Sequence, residues 1–203
     1  MAKGPFYELL TIDDHIGLQR VKKHVPLQLQ DTRDKVVFKK AEEAYSTVGL
    51  TPHPGKRQRQ VTHATVLGAE VDGLQGRVSA PRNRLVLLMF CTAVIIQKQH
   101  CTKKILQSII GCWIHALLFR RCIFSVLDSV YHEGSAGSPH DVFKLSSQTM
   151  NELRMLLLLG TLAQTNLRAD VCPELFMMDA SPAGGAICRA SVGSEAVHHM
   201  WLH

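Results

Sequence analysis

The sequence contains no Cys-x-x-Cys pair, although six cysteines are spread along its 203 residues. Without paired cysteines, and without histidines at a matching spacing, a zinc knuckle is disfavoured. No apolar run of the kind that forms a secretory signal follows Met1, so we expect an intracellular compartment, either the cytoplasm or the nucleus. The chain also lacks internal repeats and low-complexity tracts.

The two longest apolar stretches of the chain do not meet the requirements of a membrane-spanning helix. The run 85–96 has twelve residues, whereas a spanning helix takes about 20. The next apolar stretch, 105–127, is interrupted by Arg120 and Arg121, each of which costs roughly 2.5–3.5 kcal/mol at mid-bilayer. We therefore predict no transmembrane helix and no membrane partner, and we expect both stretches to be buried helices.

The net positive charge of the chain lies in its first half. The formal net charge is +6, and residues 1–100 hold 15 Lys and Arg against 9 Asp and Glu, whereas the remainder is balanced at 8 of each. Such an asymmetry favours a polyanionic partner for the first half, and a solvated basic surface is the alternative.

Turn and capping signals divide the chain into short elements. They predict strands at 6–12 and 15–21, a helix from Asp34 to Val48 that ends at Gly49, and a basic loop from Thr51 to Thr62. A hairpin is expected to follow, with strands at 65–72 and 77–79 around the turn Asp72-Gly73.

The second half is predicted to be mainly helical. Helices are expected from Pro81 to about Tyr131, with breaks near 99–102, where Thr102 caps the next helix, and near Arg120. The segment Glu133–Pro139 has the composition of a linker, and Thr149–Glu152 has the pattern of a capping box for a helix reaching Leu162. Buried-type strands are then predicted at 175–179 and 184–190.

Two adjacent carboxylates, Asp13 and Asp14, lie at the turn between the first two predicted strands. Like charges at this distance repel each other, so the pair is best tolerated where it is hydrated or holds a cation. A metal-dependent phosphoryl-transfer site uses such a pair. The alternative is a polar β-turn, since aspartate is common in turns.

The order of the motifs resembles the C-terminal half of a reverse transcriptase palm. In that family a double-Asp hairpin is followed by a helix, a Gly-Leu loop with a lysine, a Leu-Gly hairpin and then the thumb. The corresponding residues here are Asp13-Asp14, Gly49-Leu50 with Lys56, and Leu67-Gly68. The later sequence Leu175-Phe176-Met177-Met178-Asp179-Ala180-Ser181 resembles the first strand of a ribonuclease H domain.

The resemblance implies roles for individual residues. Asp13 would be the magnesium ligand and Asp14 its less direct partner, Lys56 would face the departing pyrophosphate, and Leu67 and Gly68 would contact the primer end. Asp179 would be the first metal-binding carboxylate of the ribonuclease H site. The basic residues Lys39, Lys40, Arg57 and Arg59 would contact the RNA/DNA template–primer or hybrid.

The implied fold is α+β, with four parts. These are half of a palm at 1–80, a helical thumb at 81–134, a linker and connecting helix at 135–173, and the opening strands of a ribonuclease H-like domain at 174–203. The parent activity is magnesium-dependent, RNA-directed DNA polymerisation. Because both metal sites lack further carboxylates here, we expect a fragment without activity of its own, unless a partner chain supplies the missing palm and fingers. A non-catalytic nucleic-acid-binding module and a helical interaction protein are the alternatives.

Overall fold

The computed structural model describes residues 6–10, 15–22, 24–27, 30, 32–51, 53, 55, 57–135, 137–170, 172–181 and 183–202. Helices account for 49% and strands for 24%, which confirms the expected mixture of helix and sheet. The chain divides into two units, Met1–Thr165 and Asn166–His203, and each is described by itself.

The first unit alternates short strands with helices. Its strands are β1 (Phe6–Leu10), β2 (His15–Gln19), β3 (His63–Val66), β4 (Ala69–Asp72), β5 (Arg77–Ser79), β6 (His100–Thr102), β7 (Val142–Lys144) and β8 (Gln164–Asn166), the last of which reaches the unit boundary. Its helices are α1 (Arg33–Thr47), α2 (Arg82–Lys98), α3 (Lys103–Leu117), α4 (Ser129–Ser135) and α5 (Ser147–Leu159), with 3₁₀ segments at Leu118–Val126 and Gly160–Leu162.

Strands β1 and β2 form the predicted antiparallel hairpin. Their register pairs Phe6 with Gln19 and, at the closed end, Leu10 with His15. Asp13 and Asp14 belong to the connection between these two strands and lie outside the described residues. The hairpin forms its own sheet, separate from the sheet of β3, β4, β5 and β8.

Helix α1 ends where the sequence predicts. Gly49 has a φ of +76°, and the amide of Leu50 donates to the carbonyl of Tyr45 while the amide of Gly49 donates to that of Ser46. This is the Schellman arrangement, which favours glycine because other residues are strained at positive φ.

The predicted strand at 65–72 is wrong, because a turn divides it. Val66 pairs with Ala69, and the two residues between them, Leu67 and Gly68, both have positive φ, 48° and 78°. Two positive φ angles in a two-residue connection are typical of a type I′ hairpin turn.

The predicted turn that begins at Asp72-Gly73 is confirmed. Strand β4 returns antiparallel into β5, and the Asp72 carboxylate accepts hydrogen bonds from the amides of Leu74 and Gln75, each 2.9 Å long. The bond from Gln75 is the main cause that lowers the pKa of Asp72. The sheet order is β3-β4-β5-β8.

Helix α3 begins at the predicted cap, where the Thr102 hydroxyl accepts from the amide of Ile105 at 3.3 Å. By length and composition, Lys103–Val126 is a segment that could cross a membrane. Helix α3 itself stops at Leu117, and Arg120 interrupts the following 3₁₀ segment with φ −150° and ψ 73°. One face of α3 is buried in the protein core.

The core lies between α2, α3, α4 and α5. Trp113 is fully buried, and its indole N–H donates to the Thr92 hydroxyl at 2.9 Å, which in turn donates to the Leu88 carbonyl. Leu106, Leu153 and Leu156 are also fully buried. Both polar atoms of the Trp113–Thr92 pair are therefore satisfied, as burial requires.

The segment Glu133–Pro139 is not an open linker. Lys103 donates to the carbonyls of Ser135 and Gly137, and the amide of Lys104 donates to the carbonyl of Pro139 at 3.0 Å. Gly134 is buried and accepts a hydrogen bond from Gln107. Helix α3 thus fixes the described part of this segment through contacts that local composition does not reveal, and α5 packs against α2 within the same unit.

The predicted capping box at Thr149–Glu152 is also wrong. Helix α5 begins earlier, because the Ser146 hydroxyl accepts from the amide of Thr149 at 3.1 Å. Glu152 instead accepts from the amides of residues 128, 129 and 130 at the start of α4, at 3.2, 2.7 and 3.0 Å. In return, Glu133 of α4 accepts from the amide of Ser146. Each of the two helices therefore caps the other.

The second unit contains strands β9 (Glu174–Ser181) and β10 (Gly184–Ser191) and helix α6 (Ser194–Leu202). The strands form an antiparallel hairpin in which Ser181 pairs with Gly184. The prediction of buried-type strands is wrong, since Met178 is 75% and Ile187 73% exposed. An apolar run indicates a strand correctly here but does not reveal what covers it.

Replacing Gly160 with alanine is expected to lower the free energy of unfolding by about 1–3 kcal/mol. A Cβ atom on Gly160 would lie 2.7 Å from Cη2 of Trp113, and this side chain is fully buried. Gly111→Ala in α3 is the control, because its Cβ would meet nothing within 4 Å and alanine favours a helix by roughly 0.5–1 kcal/mol. Urea denaturation of both variants measures the difference, and equal effects would contradict the packing described.

Candidate nucleic-acid interface

One face of α1 brings together two parts of the first unit that the sequence places far apart. Phe38 and Glu42 are four residues apart and therefore lie on the same side of the helix, one turn from each other. Neither is fully buried. Both make contacts outside α1, Phe38 with the β1–β2 hairpin and Glu42 with the basic loop.

The β1–β2 hairpin is attached to this face through His15. The centre of the His15 ring lies 4.6 Å from that of Phe38, with an angle of 40° between the rings. Nε2 of His15 lies 2.7 Å from a carboxylate oxygen of Glu8 on the neighbouring strand. The residue that directly follows Asp13 and Asp14 is thus held against α1.

The basic loop is attached to the same face. Nη2 of Arg59 lies 2.6 Å from Oε1 of Glu42, and Nη2 of Arg57 lies 2.9 Å from the same oxygen. The guanidinium of Arg59 also stacks 3.7 Å above the Phe38 ring, an arrangement in which the ring face attracts the cation. Lys56, the predicted catalytic lysine, lies outside the described residues.

The electrostatics of this cluster centre on Glu42. The hydrogen bond from Arg59 is the largest cause that lowers the pKa of Glu42, and the charges of Arg59 and Arg57 lower it further against the opposing effect of desolvation. Glu42 therefore stays ionised near neutral pH and neutralises part of the positive charge that the sequence places in this loop.

The predicted basic residues do not form one surface. At about 100° per residue, Lys40 lies about 160° round the helix from both Phe38 and Glu42. Lys39 is closer, about 60–100° away, and its ammonium lies 4.0 Å from Glu43 in an exposed pair. Arg57 and Arg59 are therefore brought together, whereas Lys40 points to the other side of α1.

The turn at Leu67 and Gly68 lies against helix α3. A Cβ atom on Gly68 would be 3.2 Å from Nε2 of His115, and the His115 ring makes an edge contact with Phe119. Leu67 is exposed. The residues predicted to contact a primer thus sit where the small sheet meets the first unit's helices.

Asp179 belongs to the second unit. It lies near the closed end of the β9–β10 hairpin, directly opposite Ala186, and is exposed. Among the described residues there is no group of three or more His, Cys, Asp and Glu side chains that could hold a metal ion. This absence bears on the surroundings of Asp179, where two metal ions would need further carboxylates. Asp13 and Asp14 lie outside the described residues, so their magnesium site stays a prediction.

Sequence reasoning missed Phe38, Glu42 and His15. The available signal was the spacing of Phe38 and Glu42 by four residues, with arginines following in the loop.

Comparison with protein-family models, curated proteins and solved structures finds no match for this chain.

Proposed function

We propose that this chain is the C-terminal half of a retroelement reverse transcriptase palm, followed by a helical thumb, a connecting helix and the start of a ribonuclease H-like domain. Its function in this form is to bind an RNA/DNA template–primer or hybrid through the basic first half. RNA-directed DNA polymerisation belongs to the intact parent enzyme.

The observation that supports the proposal best is the antiparallel β1–β2 hairpin, whose connection contains Asp13 and Asp14. A palm requires its metal-binding aspartates on such a turn. The second support is that His15, next to the pair, and Arg59 of the basic loop both contact Phe38. A polymerase needs cations that meet the phosphates of its substrates close to its metal site.

A non-catalytic nucleic-acid-binding module is the second candidate. It is favoured by the pairing of Arg57 and Arg59 with Glu42, a charged cluster built from described residues without Asp13 or Asp14. This candidate and the reverse transcriptase fragment agree in binding nucleic acid and differ in descent and in dependence on magnesium.

We expect the purified chain neither to extend a primed RNA template nor to cut an RNA–DNA hybrid. Two-metal transfer holds its ions about 3.5–4 Å apart with a shared set of carboxylates, and no such set is present in the described part of the chain. Primer extension that Asp13→Asn abolishes would overturn this expectation.

Binding to an RNA–DNA hybrid, with and without magnesium, tests the two candidates. Magnesium-dependent binding that Asp13→Asn removes would support a palm-derived metal site, with Asp31→Asn as a control of equal charge. Binding that is indifferent to magnesium and to Asp13→Asn would favour the non-catalytic module. No binding at low salt would contradict both and leave the helical interaction protein.

A further inference from the structure

Arg57 and Arg59 converge on one small acceptor. Their Nη2 atoms lie 2.9 and 2.6 Å from the same oxygen of Glu42, and Arg57 also donates to the second oxygen at 3.2 Å. Two guanidinium groups around a single anionic group with several oxygens form the geometry in which arginines bind phosphate.

The site is built on a fixed platform. Phe38 supports the guanidinium of Arg59 at 3.7 Å, and His15 contacts Phe38. The Arg59 side chain is accordingly 28% exposed, whereas that of Arg57 is 56% exposed. Arg59 is therefore orientated in advance, and Arg57 is open to a ligand from solvent.

The structure assigns a phosphate-binding site to Arg57 and Arg59, which Glu42 occupies in the free protein as a substitute for a backbone phosphate of a nucleic acid strand. This inference rests on the proposed binding of nucleic acid and adds its regulation. A phosphodiester carries the same single charge as a carboxylate, so it can take the place of Glu42 without leaving either arginine unpaired.

The exchange requires that the internal pairs be weak. Both pairs remain accessible to solvent in part, and such ion pairs contribute little to stability, because water and salt screen them and two long side chains must be ordered. A nucleic acid strand also releases condensed counterions when arginines neutralise its phosphates, which the Glu42 carboxylate does not. Glu42 therefore lowers the affinity for nucleic acid without preventing binding.

Glu42→Gln tests the site, with Glu43→Gln as the matched control. Both changes remove one negative charge from α1, but Glu43 pairs only with Lys39 at 4.0 Å among the described residues. We expect Glu42→Gln to raise the affinity for an RNA–DNA hybrid about two- to 30-fold more than Glu43→Gln, the range for releasing two solvent-accessible ion pairs at the protein surface. In an Arg57→Gln/Arg59→Gln background the two changes should have equal effects.

Glu42→Ala releases the same two arginines and gives a second measurement if Glu42→Gln folds poorly, with circular dichroism as the check on folding. Equal effects of Glu42→Gln and Glu43→Gln in a chain that binds the hybrid would overturn this inference and leave the proposed function standing. A lack of binding by the parent chain and by every variant would overturn both.

Discussion

Leu156→Ala is expected to lower the free energy of unfolding by about 2–5 kcal/mol. Leu156 has 0% of its surface exposed and lies in the cluster formed with Trp113 and Leu153. The truncation removes buried methyl groups and leaves a cavity between helices that already cap each other, so the surroundings can collapse only in part. Urea denaturation followed by circular dichroism measures the change.

Leu158→Ala is the control, because it makes the same chemical change two residues away in α5 where the side chain is 69% exposed. Its effect should stay within about 0.5 kcal/mol. Similar losses from both variants would show that α5 does not bury the face described here.

Arg57→Gln together with Arg59→Gln is expected to weaken binding to an RNA–DNA hybrid by up to about 60-fold at 0.1 M salt. At this concentration each phosphate contact contributes about 0.9 log unit to the association constant, and the double variant loses two contacts. For the same reason, the slope of the logarithm of the association constant against the logarithm of salt concentration should become less steep by about 1.8. Fluorescence anisotropy with a labelled hybrid measures both quantities.

Arg121→Gln with Arg154→Gln removes the same charge from exposed positions outside the proposed interface. If this control weakens binding as much as the loop variant does, the effect arises from overall charge, and the site around Phe38 would be refuted.

Local signals predicted the elements whose ends depend on a few neighbouring residues. Gly49 ends α1 and Thr102 starts α3, because a positive φ or a capping hydroxyl acts on the adjacent turn. The β1–β2 hairpin followed from two short apolar runs on either side of a polar turn. Local signals missed the turn at Leu67-Gly68, because a leucine at positive φ is unusual. The stretch therefore had the pattern of one continuous strand.

The structural predictions were wrong where a contact with a residue distant in sequence determines the local structure. Glu152 caps α4, 22–24 residues before it, although its pattern suggested a local capping box. The segment after Glu133 has a linker's composition, yet Lys103 and Gln107 hold it on α3. Composition describes a segment's own preference and cannot report the surface on which it lies.

The candidate site was predictable in its residue types and not in its arrangement. The excess of basic residues pointed to Arg57 and Arg59, and their proximity to each other follows from sequence. Their pairing with Glu42, 15–17 residues earlier, is a tertiary contact. Asp13, Asp14 and Lys56 lie outside the described residues, so their roles stay predictions.

The salt dependence of binding to an RNA–DNA hybrid tests the central claim most directly. If the basic loop and α1 bind backbone phosphates, a plot of the logarithm of the association constant against that of salt concentration should fall with a slope of about −2 to −4, corresponding to two to four contacts. Binding that is absent at low salt, or that does not change with salt, would contradict the account.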